Sequence, residues 1–244
     1  MINLNNYLII VTGAGRGNGK GISEGLIHYG AEVIRVDLNF EKDDNIESIK
    51  IKGDVRKLST IKKVCKIIEN SKKNIVLINN AGVSLPSSEN FYPIVNWNKT
   101  ISVNLTVPFL WIENIKSFMI KKKTGSIINI TSLSAERGFP ENPAYVASKG
   151  GLKMLGKAYA RDLGVYNIRV NNVGPGYMQT KMTEKSFNNL NTRKKRQSHM
   201  LLNRWGNPSD LVGVCAFLAC DLSNYITGQD IYVDGGWLSN GLIK

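Results

Sequence analysis

Tyr145 and Lys149 are the residues best suited to acid–base chemistry, because they lie four apart in a stretch that reads as a helix. This spacing places both side chains on one helix face, one turn from each other. An ammonium group near a phenol stabilises the phenolate and lowers the pKa of the phenol from about 10. Most such pairs simply pack on a wet helix surface, so the interpretation depends on the surrounding elements.

A glycine-rich turn near the amino terminus predicts a phosphate-binding loop. It runs from Thr12 to Gly19, between an apolar, β-branched run at residues 7–12 and a helical stretch at residues 20–29. Glycines let backbone amides approach a pyrophosphate, and the amino end of a helix adds partial positive charge. The spacing of Gly13, Gly17 and Gly19 is wider than the common G-x-G-x-x-G form, but the flanking strand and helix favour a nucleotide site over a plain turn.

Asp37 ends the second predicted strand, residues 32–37. A carboxylate at this place can hydrogen-bond the adenosine ribose hydroxyls and repel a 2′-phosphate, so Asp37 favours NAD over NADP. Arg16, inside the glycine loop, argues in the other direction because it could reach a phosphate. Leu38 supplies no cation beside the carboxylate. We therefore expect NAD(H), with NADP(H) left open and a simple turn role as the alternative for Asp37.

Strand and helix patterns alternate along the whole chain, which predicts an α/β, doubly wound parallel sheet with right-handed connections and helices on both faces. Ligands bind such sheets beyond the carboxyl ends of the strands, where Gly13, Asp37, Asp54 and Asn80 all fall. No break in composition divides residues 1–244, so we predict one domain with seven strands. The further strands are predicted at 48–52, 74–79, 125–131, 167–173 and 230–234, and the further helices at 60–70, 97–122, 145–164 and 209–220.

Two segments have mixed patterns. Residues 97–122 are mostly helical, with Pro108 expected to break or bend the helix and with apolar surface that suits either the core or a subunit interface. Residues 181–204 are polar, basic and without clear periodicity, which indicates an irregular, mobile lid over the substrate. The basic run within this segment, 193–196, is more typical of a solvated face than of a site.

Composition narrows the functional classes. Hydrophobic residues make up 42% of the 244, enough for a full core, and no apolar run approaches the ~18 residues of a membrane span. The start of the chain lacks a secretory pattern and the three cysteines have no metal-like spacing, which together predict a cytoplasmic protein without a metal site. The net charge of +13 raises the possibility of a nucleic-acid partner, but the lysines are scattered and no binding motif accompanies them, so we expect neither nucleic acid nor membrane as a partner.

A series of short motifs makes the chain resemble the short-chain dehydrogenase/reductase family over nearly its whole length. Each motif is weak alone, but their order is specific, and so is the placement of Ser132 thirteen residues before Tyr145. The motifs are Thr12-Gly-x-x-x-Gly-x-Gly19, Asp54, Asn79-Asn-Ala-Gly82, Asn104, Ser132, Tyr145-x-x-x-Lys149, Asn172-x-x-Pro-Gly176 with Thr180, Tyr225-Ile-Thr-Gly-Gln and Val233-Asp-Gly-Gly236.

The resemblance implies that a hydride passes between nicotinamide C4 and a secondary alcohol or ketone. Tyr145 would be the general acid in reduction and the base in oxidation, and Ser132 would hold the substrate oxygen. Lys149 would bind the nicotinamide ribose and lower the pKa of Tyr145. Asn104 would fix a water that connects Lys149 to solvent.

The resemblance also implies a cofactor site and an assembly. Two positions depart from the family pattern: Asn18 stands where an aliphatic residue is usual, and Gly174 is expected to loosen the following turn. The family pattern further implies a homotetramer, or a homodimer, built on the two long central helices and the last strand. The implied cofactor contacts are Gly13, Arg16, Asn18, Gly19, Asp37, Asp54, Val55, Asn80, Ala81, Gly82, Tyr145, Lys149, Pro175, Gly176, Met178 and Thr180.

The substrate is less well defined by the sequence. Glu136, Arg137 and Asn142 form a polar loop that suits a carbohydrate-like secondary alcohol, and the basic lid suits an anionic sugar acid or sugar nucleotide. The main alternative is a 3-oxoacyl-[acyl-carrier-protein] reductase using NADPH. Ser126 and Tyr166 stand where such reductases carry basic docking residues, which counts against it. A non-catalytic dinucleotide sensor is the remaining alternative, because a fold can be reused without chemistry.

Overall fold

A single parallel sheet of seven strands organises the computed structural model, which describes residues 2–42, 44–88 and 91–240. Across the sheet the order is β3-β2-β1-β4-β5-β6-β7, so the chain starts near the middle and winds outward in both directions. The predicted strands are confirmed, with ends that shift by no more than two residues. The strands are β1 (Tyr7–Thr12), β2 (Glu32–Asp37), β3 (Ile49–Lys52), β4 (Asn74–Asn79), β5 (Gly125–Ile130), β6 (Ile168–Pro175) and β7 (Asp230–Val233).

Helices cover both faces of this sheet, as predicted for a doubly wound fold. Alternate residues of β1 divide between the two cores: Ile9 and Val11 face one hydrophobic cluster, and Leu8 and Ile10 face the other. The first cluster is closed by α1 and α8, and the second by α2, α4 and α5. The helices are α1 (Gly17–His28), α2 (Leu58–Glu69), α3 (Ile94–Ile101), α4 (Val107–Lys122), α5 (Pro143–Leu163), α6 (Glu184–Asn188), α7 (Leu190–Gln197) and α8 (Val212–Ala219).

The helical path from residue 94 to residue 122 is continuous, so Pro108 does not break the helix, the first of the two outcomes expected there. A wide, π-helical turn at Ser102–Thr106 joins α3 to α4. Pro108 lies in the first turn of α4, where the missing N–H group is tolerated because the wide turn has already altered the hydrogen-bond ladder. The wide turn carries Asn104, a predicted site residue, whose side chain it directs into the protein.

The predicted irregular segment at 181–204 contains two short helices, α6 and α7. Asn189 begins α7 by accepting a hydrogen bond from the Thr192 N–H at 2.9 Å. Neither helix has a buried residue of its own, which explains why no apolar period appears in the sequence. Among the described residues, no helix combines the length and hydrophobicity that crossing a bilayer requires, and no group of three or more potential metal ligands occurs.

Candidate active site

The glycine loop is fixed by close backbone contacts that leave no room for side chains. Gly13 has a positive φ of +66°, and a Cβ there would lie 2.7 Å from the Cα of Ala81. A Cβ on Gly19 would lie 2.2 Å from the Gly13 carbonyl oxygen and 2.4 Å from Nδ2 of Asn80. These residues are therefore glycines because the end of β4 packs directly against the loop.

Asn80 and Thr12 lock the ends of β1 and β4 together. The Asn80 amide donates to the Thr12 and Gly13 carbonyl oxygens at 3.0 and 2.9 Å. The Thr12 hydroxyl accepts the backbone N–H groups of Asn80 and Ala81, both at 3.1 Å. Predicted cofactor residues from two strands thus form one rigid edge, and Asn18, at the start of α1, adds a buried Oδ1 with no hydrogen-bond partner among the described residues.

Asp37 lies at the end of β2 and faces the glycine loop. Its carboxylate accepts the N–H of Gly15 at 2.9 Å and that of Asn39 at 3.3 Å. Leu38, beside it, is exposed, and so is Arg16. The structure therefore places Asp37 at the loop, while Arg35, two residues earlier on β2, is buried and pairs with Asp44 at 2.7 Å.

Asp54 and Val55 follow β3 and bind protein groups. Arg56 donates to the Asp54 carboxylate at 2.6 Å and lowers the pKa of that group. The Val55 carbonyl accepts the indole N–H of Trp111 at 2.9 Å. Both residues lie at the edge of the sheet where adenine contacts are predicted, and that role stays a prediction.

Lys149 is buried under the carboxyl end of β5, on α5. Its ammonium donates to the Ile130 carbonyl oxygen at 2.7 Å and lies 5.8 Å from the centroid of the Tyr145 ring. Burial lowers the pKa of Lys149 to about 8. A Cβ on Gly82 would lie 3.7 Å from the ammonium nitrogen, so the β4 loop passes directly beside it.

Ser132 and Tyr145 meet above this lysine. Ser132 follows β5, and its hydroxyl accepts the N–H of Ser134 at 3.2 Å, which fixes the start of a short 3₁₀ turn. The Tyr145 phenol is partly buried, and the Ser132 side chain lies near enough to lower its pKa, against a larger increase from burial. The two hydroxyl groups therefore share one place at the carboxyl edge of the sheet.

The expected lowering of the Tyr145 pKa is wrong for this structure. Burial raises the pKa of the phenol, and the nearby Ser132 side chain only partly opposes the increase. The Lys149 ammonium is directed to the Ile130 carbonyl and is itself less readily charged, so it gives the phenolate little stabilisation. The helical spacing correctly brought the two side chains near each other but did not show where the ammonium would point.

Asn104 connects the β4 loop to the catalytic helix through protein contacts. Its Oδ1 accepts the Val83 N–H at 2.8 Å, and its Nδ2 donates to the Val83 carbonyl at 2.9 Å and to the Ser148 hydroxyl at 3.1 Å. These bonds hold α5 at a fixed distance from the β4 loop. The water-fixing role that the resemblance implies stays a prediction.

The residues at and after the end of β6 lie at the same carboxyl edge of the sheet as the other site residues. Gly176 donates to the Val233 carbonyl at 2.9 Å, and Met178, two residues further on, is buried. A Cβ on Gly17 would lie 3.5 Å from the Cβ of Thr180, so the base of the lid faces the glycine loop. The structure thus brings Pro175, Gly176, Met178 and Thr180 to the side of the cleft opposite the β2 end.

A family model described as enoyl-(acyl carrier protein) reductase matches residues 13–238. The chain belongs to the short-chain dehydrogenase/reductase family. It is 32% identical over 240 residues to 5-keto-D-gluconate 5-reductase of Escherichia coli (strain K12), covering 94% of each chain. It is 35% identical to the 3-oxoacyl-[acyl-carrier-protein] reductase FabG of Thermotoga maritima, covering 96% of this chain and 98% of that protein.

Solved structures support the same assignment. The crystal structure of a gluconate 5-dehydrogenase from Burkholderia cenocepacia in complex with NADP and tartrate superposes with a TM-score of 0.90 at 28% identity, covering 98% of this chain and 97% of that one. The predicted family and fold are therefore confirmed. This short-chain dehydrogenase/reductase is an oxidoreductase acting on CH–OH groups with a nicotinamide dinucleotide.

Sequence reasoning missed a row of three buried asparagines and one partly buried aspartate beneath the dehydrogenase site. Asn79, Asn129, Asn172 and Asp230 are register partners on four adjacent strands, and their side chains are linked by bonds of 2.9, 3.1 and 2.7 Å. A Cβ on Gly156 of α5 would lie 2.3 Å from the Asn172 oxygen, so the helix packs directly on this row. Asparagines near the ends of three strands were the available signal, but single strands do not reveal their register.

An aromatic wall at the lid was also missed. Phe139, Tyr177 and Trp237 come from three separate loops, and their ring centroids lie 5.9 to 6.5 Å apart. Trp205 extends the wall, 5.3 Å from both Tyr177 and Phe187. The rings follow turns in the sequence and have no shared period, so only the folded chain of this short-chain dehydrogenase/reductase brings them together.

Proposed function

We propose that this protein interconverts a secondary hydroxyl and a ketone on a sugar acid, with Tyr145 as general acid and base and NAD(H) as the preferred cofactor. The observation that carries the proposal is that the Ser132 side chain lies near enough to the Tyr145 phenol to influence its pKa, with the buried ammonium of Lys149 5.8 Å from the Tyr145 ring centroid. The printed names of two relatives, a 5-keto-D-gluconate 5-reductase and a gluconate 5-dehydrogenase, support the sugar-acid class.

The residues of the cleft fit a dinucleotide. Gly13 and Gly19 form a cradle that a Cβ would fill, and the Asn18 Oδ1 is a buried acceptor without a partner among the described residues. We assign the pyrophosphate to the glycine loop and Thr180, the adenosine ribose to Asp37, and the nicotinamide ribose to Lys149. Asp54, Val55, Asn80–Gly82 and Pro175–Met178 would line the same groove.

When bound, the dinucleotide supplies or accepts the hydride. Ser132 donates a hydrogen bond to the substrate oxygen and so fixes the carbon that exchanges the hydride. In reduction Tyr145 gives its proton to that oxygen, and in oxidation it takes the proton back. A phenol whose pKa is raised is protonated near neutral pH, so this state of Tyr145 suits the donor role in ketone reduction.

The preference for NAD(H) rests on Asp37. A 2′-phosphate would approach this carboxylate, and Leu38 offers no positive charge to compensate. Arg16 is exposed and sits at the amino end of α1, which leaves NADP(H) as the second candidate. The NADP in the crystal structure of the gluconate 5-dehydrogenase is a property of that protein, and the preference of this chain is tested separately.

Acyl-carrier reduction is the second candidate function, favoured by the 35% identity to a FabG. The position expected to dock an acidic carrier holds Ser126, which is 1% exposed and donates to the Leu218 carbonyl at 2.8 Å. Tyr166, the other position, carries no charge. Both observations favour the sugar acid.

The assembly is proposed as a homotetramer, or a homodimer, through α4 and α5. Both helices carry exposed apolar side chains, Phe109 at 43% and Met154 at 60% exposure. Light scattering on the purified protein tests this: a monomer at all concentrations contradicts it. We further propose a cytoplasmic location and a small-molecule substrate without nucleic acid or membrane as a partner, and retention of the protein by DNA at physiological salt would contradict the last point.

The test of the proposed activity is a panel of keto sugar acids and neutral ketones assayed with NADH and NADPH. We expect turnover of a keto sugar acid, with a higher kcat/KM for NADH than for NADPH. Tight NADH binding without turnover across the panel would identify a sensor instead. Faster reduction of an acetoacetyl carrier thioester than of any sugar acid would favour the second candidate.

A further inference from the structure

The four consecutive cations of α7 divide into an inner and an outer pair. Arg193 and Arg196 are three residues apart and therefore lie on one side of the helix, and each guanidinium packs over an aromatic ring. Lys194 and Lys195 are exposed on the other side. The basic run that the sequence assigned to a solvated face is thus only half solvated.

Arg196 is the member of the inner pair that lies at the catalytic edge. Its guanidinium carbon is 4.5 Å from the centroid of the Tyr177 ring, and Tyr177 directly follows Gly176 at the end of β6. The same ring contacts Phe139, seven residues after Ser132, with centroids 6.5 Å apart. Arg193, by contrast, covers Phe187 within the lid itself, 5.0 Å from its centroid.

The N–H donors of the Arg196 side chain have no acceptor among the described residues. This side chain is partly buried, and within residues 2–42, 44–88 and 91–240 none of its N–H groups has a hydrogen-bond or ion-pair partner. Arg204, at the other end of the lid, is neutralised by Asp210 through two bonds of 2.8 Å. The guanidinium carbon lies over the Tyr177 ring, and the fork of N–H donors has no partner among the described residues, so it is available to an anion.

We propose that Arg196 binds the carboxylate of the substrate and makes the enzyme selective for sugar acids over neutral sugars. The inference rests on the proposed function and extends it by naming the residue that reads the acid group. A guanidinium edge matches a carboxylate with two parallel hydrogen bonds, and a partly desolvated cation without a counter-charge gains most from such a ligand. The rings of Phe139 and Tyr177 would pack against the C–H face of the sugar chain.

The experiment compares the wild-type enzyme with Arg196→Gln, Arg196→Lys and the matched control Lys195→Gln, which removes the same charge from the exposed side of α7. Reduction of 5-keto-D-gluconate is followed, with D-gluconate and D-glucitol as competing inhibitors that differ by a carboxylate against a hydroxymethyl group. NADH affinity is measured separately by fluorescence.

Arg196→Gln should lower kcat/KM for 5-keto-D-gluconate by about 10- to 100-fold and weaken gluconate inhibition to a similar degree, the effect of losing a charge-assisted bidentate contact. Inhibition by glucitol and affinity for NADH should change less than about twofold. Arg196→Lys should recover part of the loss, and Lys195→Gln should behave as wild type.

Equal weakening of gluconate and glucitol would show that Arg196 only supports the lid, and a loss of NADH affinity would assign it to the cofactor; either result overturns the inference. Unchanged kinetics in Arg196→Gln would overturn it as well. Failure of the wild-type enzyme to reduce any keto sugar acid would instead remove the proposed function, so the two failures are distinguishable.

Discussion

The cofactor side and the lid side of the cleft are built by different kinds of contact. On the cofactor side, glycine backbone packs against its neighbours: Gly13 approaches the Ala81 backbone and Gly19 approaches the Asn80 amide so closely that a single added carbon would clash. On the lid side, side chains meet side chains: aromatic rings pack mostly edge to face, and the Arg196 guanidinium lies over the Tyr177 ring. The close glycine contacts on the cofactor side tolerate few other residues, whereas the side-chain contacts on the lid side can be made by other residues.

This difference indicates how the two halves of the reaction are controlled. A fixed backbone cradle suits a cofactor whose shape does not change between relatives. A wall of separate side chains suits a substrate that does change, because one substitution alters selectivity without disturbing the sheet. We therefore expect changes on the cofactor side to affect binding of the dinucleotide and changes on the lid side to affect the substrate alone.

The largest effect is expected at Tyr145, where the two sides meet. Tyr145→Phe keeps the ring but removes the acid, so kcat should fall by about 10³-fold while NADH affinity stays within about twofold. Steady-state kinetics and NADH fluorescence measure the two quantities. Tyr166→Phe, at a partly exposed tyrosine outside the cleft, is the matched control and should have wild-type kinetics.

The cofactor cradle is tested next by Gly19→Ala. The added Cβ would lie 2.2 Å from the Gly13 carbonyl, so the loop must shift and NADH affinity should fall by about 10- to 100-fold. Gly213→Ala in α8 is the control, since a Cβ there has no described atom within 4 Å. If Gly19→Ala bound NADH as wild type does, the cradle would not be the rigid part of the site.

Lys149 lies between the two sides, and the effect of its charge on the free energy of unfolding should depend on pH. Burial lowers its pKa from 10.5 to about 8, which costs the folded state about 3 kcal/mol while the amine is charged. Lys149→Met removes that cost and loses one hydrogen bond, for a net gain of about 2 kcal/mol in the free energy of unfolding.

The sign of this pH dependence follows from the direction of the shift. Below about pH 8, Lys149 is charged in both the folded and the unfolded protein, so the full stabilisation by Lys149→Met is present. As the pH rises from 8 towards 10.5, Lys149 becomes neutral in the folded protein alone, and this stabilisation disappears. Urea unfolding at several pH values measures the difference between the two proteins. A difference that grew with pH would contradict the assigned cause.

The smallest effect is expected in the lid. Phe187→Leu removes a ring that lies 5.3 Å from Trp205 and 5.0 Å from the Arg193 guanidinium. We expect the substrate KM to rise about three- to tenfold, with NADH affinity unchanged. Phe91→Leu, at a ring that is 86% exposed, is the control. A loss of NADH affinity in Phe187→Leu would show that the two sides are not separable.

The sequence predicted the cofactor side better than the lid side for the same physical reason. Glycines that permit backbone contact and residues at strand ends leave local patterns, so Gly13, Asp37 and Asn80 were placed correctly at one edge of the sheet. The helices of the lid were missed because side chains from distant loops hold them. The Tyr145 pKa was predicted in the wrong direction because helical spacing does not fix the orientation of a long lysine side chain.

The most direct test of the central claim is a structure of the protein with NAD(H) and a sugar acid bound. We expect the Tyr145 and Ser132 hydroxyls within hydrogen-bonding distance of one substrate oxygen, with the carbon that bears this oxygen above nicotinamide C4. A complex in which the tyrosine hydroxyl faces away from the nicotinamide, with the lid closed, would contradict the assigned chemistry.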